Sequence, residues 1–169
     1  LKVKHPEDVL FIMVSFLPIP GKLGEMKTKP TQNAIRQLNS YGIHADFIVA
    51  RSEVPLDARR KEKLAIQCNI HRGNVISAPD IESIYDVPLN FEKDHIGKMI
   101  AHELGITNGK PNLNAWRKFV NSTKNTKGEI EIAVVGKYFD TGDFVLSDAY
   151  ISVIEAIKYS AYAQGVKAN

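Results

Sequence analysis

The 169 residues are 44% hydrophobic and 24% charged, the make-up of an ordinary globular chain of about one domain's length, which excludes collagen-like, mucin-like and disordered classes. Twenty-two lysines and arginines against nineteen aspartates and glutamates leave a formal charge of +3 with no block of like charge. Neither nucleic acid nor a membrane surface is therefore expected as a partner, and any anion binding must be local.

The longest apolar run, Val9 to Val14, is far shorter than the roughly 20 residues a membrane-spanning helix needs. From Val9 to Leu17 the chain is almost continuously apolar and is followed by Pro18, Pro20 and Gly21, a pattern that predicts a strand buried on both faces of a parallel sheet. After a polar loop, Ala34, Ile35, Leu38 and Tyr41 fall at helical spacing from Thr31 onward, and Gly42 suits the stop. A strand is expected at Ala45–Ala50. Pro55 fits the first turn of a helix running to about Cys68, with Leu56, Leu64, Ala65 and Cys68 inward, and a short strand follows at Val75–Ser77. Strands alternating with helices at these intervals are the mark of parallel βαβ units, so the fold class expected is α/β, with ligands at the carboxyl ends of the strands.

Two further helices are expected, Asp94–Leu104 and Leu113 to about Val120. Asn121–Gly128 contains no apolar residue and reads as a linker. Beyond it, Glu129–Val135 predicts a strand and Ser147–Ala163 an amphipathic helix stopped by Gly165, the first strand and helix of a second α/β domain. The start at Leu1 and the short run after Gly165 lead us to expect a sequence that begins and ends inside a longer protein.

The loop Gly24-Glu-Met-Lys-Thr-Lys-Pro-Thr-Gln32 gathers two lysines, two threonine hydroxyls, a glutamine amide and a helix start, which is the composition of an anion site. Gly21 to Thr28 lies one residue from the phosphate-loop pattern G-x-x-x-x-G-K-[ST], but Met26 replaces the second glycine, whose lack of a Cβ lets the backbone wrap a phosphate, so a true phosphate loop is rejected.

Other chemistry-bearing residues read as structural. The single cysteine, Cys68, permits no internal disulfide and no multi-thiolate zinc site, which fits the reducing cytoplasm; on the apolar side of its helix it reads as a core thiol. His102-Glu103 begins a zinc-protease pattern, but Ile106 stands where the second histidine belongs, and no metal site is expected. His5, His44, His71 and His95 read as surface histidines, Asp80 as a helix N-cap, and Trp116 and Tyr138 as packing residues at a domain junction.

The run Gly24–Gln32, with Gly42-Ile43, Ala50-Arg51-Ser52, Lys63 before Cys68, Val75-Ile76-Ser77 and Asp80-Ile81-Glu82-Ser83-Ile84-Tyr85, closely resembles the CTP synthase family, for which Lys-Thr-Lys-Pro-Thr-Gln is highly specific. The resemblance covers essentially the whole chain. It implies a mostly parallel Rossmann-like, P-loop-NTPase-like sheet: residues 1–105 as the end of the synthetase domain, 106–128 as the linker and 129–169 as the start of the glutamine amidotransferase domain. It implies an enzyme that converts UTP to CTP with ATP and ammonia from glutamine. Lys27, Thr28, Lys29, Pro30, Thr31, Gln32 and Lys63 match positions that bind UTP and the feedback inhibitor CTP, and Pro79, Asp80 and Ile81 match positions beside ATP. Pro79 departs from the lysine often found there, and Asn33-Ala34 from a frequent His-Ser.

Glutamine, GTP as a candidate effector and a homotetramer are further expectations of the resemblance. The family's phosphate loop, Mg²⁺-holding acids and glutaminase triad would fall outside these 169 residues, so no catalytic residue is expected within them. Two other classes stay open: a free-standing pyrimidine-nucleotide-binding regulatory module, and a non-catalytic scaffold subunit.

Overall fold

Three short segments rich in Val, Ile, Phe and Ala form one parallel sheet, β1 (Ile12–Phe16), β2 (Phe47–Ser52) and β3 (Val75–Pro79), in the order β1-β2-β3. The computed structural model describes residues 1–21, 24–106, 112–137 and 147–169. Parallel strands need crossovers, and α1 (Lys29–Ser40) and α2 (Ala58–Cys68) supply them, as the βαβ spacing predicts. In register, Ile12 to Phe16 face Phe47 to Arg51, and Ile48 to Ser52 face Val75 to Pro79.

Period-2 alternation gives the sheet two faces. On one, Ile48, Ala50 and Val75 pack with Leu17, Met26 and Leu56, with Ile35 of α1 and with Leu64, Ala65 and Cys68 of α2. On the other, Val49, Ile76 and Ala78 meet Phe91, Ile96 and Met99 from α3 (Val87–Lys93) and α4 (Ile96–Glu103). These two helices follow β3 and shield β2 and β3. The expectation that the first strand is buried on both faces is therefore corrected: on β1, Ile12, Val14 and Phe16 are 40%, 64% and 52% exposed.

The α3 helix was not foreseen, because Pro88 breaks the apparent pattern although it is tolerated in a first helical turn. The reading of Asp80 as a helix N-cap is also corrected, since Asp80 N–H donates to Ser52 O at 2.8 Å and continues the ladder past β3. Ser83 caps the next turn instead, its hydroxyl accepting Tyr85 N–H at 3.3 Å. Asp94 stands outside α4. One of its oxygens accepts Ser77 N–H at 2.7 Å and the other accepts Lys61 Nζ at 2.6 Å, while Asn90 Nδ2 donates to Ser77 O at 3.0 Å. These side chains occupy the backbone groups on the margin of β3 away from β2.

Contacts divide the chain into two compact units, Leu1–Pro111 and Asn112–Asn169. In the second, β4 (Glu129–Ile130) and β5 (Lys167–Ala168) pair in parallel, with α6 (Ile151–Ala163) between them in sequence. This completes a small βαβ unit, and Gly165 at φ +74° provides the turn after α6. The α5 helix (Asn114–Lys124) runs four residues into the stretch read as linker, where Ser122 and Thr123 donate their hydroxyls back to the carbonyls of Phe119 and Val120 at 2.7 and 2.8 Å instead of leaving the helix. Phe119 lies 4.9 Å from the Tyr159 ring, joining α5 to α6. The strand expected over Glu129–Val135 is observed as two residues, Glu129–Ile130, and beyond them Ile132 N–H donates to Asn169 O at 3.1 Å. Tyr138 lies outside the described residues. Among the described residues no helix is long and apolar enough to cross a membrane.

Candidate functional site

Because all three strands of the first sheet run the same way, their carboxyl ends and the starts of α1 and α2 meet at one edge. A cavity of about 840 Å³ opens there. Its walls are Pro18 and Pro20 at the exit of β1, Glu25 to Pro30 at the start of α1, and Asp57, Arg59, Arg60 and Lys63 on the first turns of α2.

The loop of the first wall is pinned at both ends. Gly24 takes φ +61°, a left-handed turn suited to glycine, and Lys27 N–H donates to Pro18 O at 2.8 Å. Between them Met26, 5% exposed, fills the core beside Leu17 and Ile35. The residue that rules out a phosphate loop thus anchors the segment and leaves Lys27 and Lys29 on the cavity side.

The hexapeptide divides by what it faces. Lys27, Thr28, Lys29 and Pro30 line the cavity, whereas Thr31 and Gln32 are buried and do not. Thr31 shares a hydrogen bond of 2.8 Å with the Ser15 hydroxyl of β1, and Gln32 Nε2 donates to the Thr28 hydroxyl at 3.1 Å. Thr31 ties the start of α1 to the sheet, Gln32 braces the Thr28 hydroxyl, and Lys27 and Lys29 present the charge.

On the opposite wall Asp57 caps α2. One carboxylate oxygen accepts Arg60 N–H at 2.7 Å, and the other pairs with the Arg60 guanidinium. The Arg60 amide, seconded by the charge of its side chain, holds the Asp57 carboxyl below its ordinary range. Glu25 pairs with the Lys27 ammonium, which lowers its carboxyl as well, with smaller contributions from Arg60 and Lys63.

Lys63 and the lysines of the loop, far apart in sequence, therefore flank one space. Arg59 and Arg60 were missed. The signal was present in the four-residue spacing of Arg59 and Lys63, which puts both on one helix face, behind a capping Asp57. Five cations against two carboxylates leave the cavity at +3, equal to the formal charge of the whole chain. The cationic surplus is concentrated at a pair of helix starts, an arrangement suited to a polyanion.

Pro79, Asp80 and Ile81 do not line this cavity. They follow β3 at the same edge of the sheet, where Pro79 stands opposite Ser52 and Asp80 accepts Arg51 Nη2 at 2.8 Å. Cys68 is buried in the core, and desolvation raises its thiol above its ordinary value. Of the histidines read as surface residues, His5 and His95 pair loosely at 3.9 Å with Asp8 and Glu92.

Comparison with known proteins follows the same segments. Residues 1–106 match the family model described as "CTP synthase N-terminus". The chain is 41% identical over 163 residues to a CTP synthase of Methanocaldococcus jannaschii, which covers 96% of this chain and 29% of the relative. It is 44% identical over 154 residues to a CTP synthase of Caldanaerobacter subterraneus subsp. tengcongensis, covering 91% of this chain and 28% of that protein. A CTP synthase of Thermococcus kodakarensis is 42% identical over 161 residues, 95% of this chain and 29% of the relative. The chain spans less than a third of the length of these curated relatives.

Proposed function

The chain belongs to the CTP synthase family, and we propose that its lysine-lined cavity holds the phosphates of UTP and CTP within an enzyme that makes CTP from UTP, ATP and glutamine-derived ammonia. The observation that carries this reading is the meeting of Lys27, Lys29 and Lys63 around one space from the starts of two helices. The lysines neutralise phosphate charge, and the Thr28 hydroxyl offers a hydrogen bond. Thr31 acts from below, holding the start of α1 against β1, and Gln32 steadies the Thr28 hydroxyl.

UTP and CTP carry the same triphosphate and differ on the base, so a site built to grip phosphates receives both. Substrate and product then compete for it, which is the physical basis of feedback inhibition. ATP is assigned to the end of β3, with Ile81 supplying apolar surface for the adenine and Asp80 held in place by Arg51. Glutamine as the ammonia source, GTP as effector and a homotetrameric assembly belong to the same proposal.

Mg²⁺ supplies charge neutralisation for phosphoryl transfer when bound, but the residues present do not form its site. The two carboxylates of the cavity, Glu25 and Asp57, are engaged by Lys27 and Arg60. Among the described residues the cluster of ligand type is His5, Glu7 and Asp8, which is exposed and does not line the cavity.

Calorimetric titration tests the reading. UTP and CTP should both bind, and Lys27→Ala and Lys63→Ala should each weaken both nucleotides by about tenfold or more, the worth of one charge-assisted contact. A Lys27→Ala protein that binds UTP and CTP as before would falsify the assignment of the loop.

A further inference from the structure

We propose that Arg59 and Arg60 are phosphate-binding residues of this cavity and set its preference for a triphosphate over a monophosphate, an inference that rests on the nucleotide reading above and adds two residues to it. The lysines alone supply too little charge for that discrimination. Lys27 is already paired with Glu25, leaving Lys29 and Lys63 as the other lysines of the cavity. A single phosphate brings roughly two negative charges at neutral pH, and each added phosphate brings at least one more.

The two arginines meet that excess in different ways. Among the described residues the Arg59 guanidinium makes no hydrogen bond or ion pair, although it lines the cavity on the first turn of α2. It stands one turn before Lys63, on the same helix face, so the two together can span adjacent phosphate groups. Arg60 is held instead. Asp57 binds both its amide and its guanidinium, which fixes the planar fork at the helix start before any ligand arrives. A fork of this kind receives two phosphate oxygens at once, which an ammonium does not. Because Asp57 offsets part of the Arg60 charge, Arg59 carries the larger share of the discrimination.

The experiment titrates the protein and its variants with UTP, UMP and inorganic tripolyphosphate. Arg59→Ala should weaken UTP and tripolyphosphate by about tenfold while changing UMP less than about threefold, and Arg59→Lys should recover part of the loss. The double variant Arg59→Ala/Arg60→Ala should narrow the UTP to UMP ratio further. Lys98→Ala on α4, which removes one positive charge from a wall shared with Val75 at the amino end of β3, serves as the charge control and should leave the ratio unchanged. On the first turn of α2 Arg59 is exposed and Arg60 half-buried, the Asp57 cap accepts the backbone N–H of residue 60, and alanine is a good helix former, so an unchanged circular dichroism spectrum is expected.

An unaltered UTP to UMP ratio in the double variant, with Lys27→Ala still impaired, overturns this inference and leaves the nucleotide reading standing. If Lys27→Ala also binds UTP normally, the nucleotide reading falls and takes this one with it.

Discussion

Met26 shows how one side chain can exclude one mechanism and build another. A methionine Cβ blocks the tight phosphate wrap of a glycine loop, but its buried thioether fixes the segment so that flanking lysines are held outward. Thr31 works with it from inside the fold. Thr31→Val should cost about 1 kcal/mol in urea unfolding, because it keeps the volume yet leaves the Ser15 hydroxyl without its bond. Cys68 should alkylate slowly in the native protein at pH 8 and fast in denaturant, since burial both shields the thiol and raises its ionisation above the ordinary 9.0. Rapid native labelling would overturn that reading.

Asp57 also carries a pH signature. Its folded carboxyl lies below the ordinary 3.8, so its stabilising contribution is complete above that value and is lost as pH falls through the lowered one. Asp57→Asn, which keeps an acceptor but cannot titrate, should flatten that acid limb of the stability profile. At this scale Lys27, Lys29 and Cys68 were legible because their neighbours in sequence define their setting, whereas Lys63 was singled out by the family resemblance alone. Arg59 and Arg60 were passed over because a charged helix start ordinarily reads as solvated surface, and only the approach of the first loop gives it a facing wall.

Among the elements, the alternation of strand and helix was readable because parallel pairing demands it, whereas the exposure of β1 was not. An apolar run states what a strand can bury, not what stands over it. Val14→Thr should change stability by no more than about 0.5 kcal/mol, while Ile48→Ala at the centre of the sheet should cost roughly 2–5 kcal/mol. Equal costs would show that both faces of β1 are covered in solution. The α3 helix escaped the sequence reading since seven residues with a proline carry little periodic signal. Its position nonetheless decides the fate of β3: Asp94→Ala removes the acceptor of Ser77 N–H and the partner of Lys61 together, with an expected loss of roughly 2 kcal/mol in urea unfolding.

At the level of the whole molecule, the described core is unevenly shared. Of the buried hydrophobic residues only Val120 and Ala161 belong to the unit Asn112–Asn169, and all others lie in Leu1–Pro111. The single tryptophan, Trp116, reports on the smaller unit, and the single cysteine, Cys68, on the larger. In a urea titration the Trp116 fluorescence change should therefore precede exposure of Cys68 to a thiol reagent, and coincident midpoints would mean that the two units unfold as one.

The side chains of Asp94 and Asn90 have a last consequence for this architecture. With the amide and carbonyl of Ser77 already taken, one flank of the parallel sheet is closed to further hydrogen-bonded chain, while among the described residues no strand occupies the far side of β1. The sheet consequently has a valence of one: a fourth strand, whatever its origin, has a single berth, beside Ile12 to Phe16.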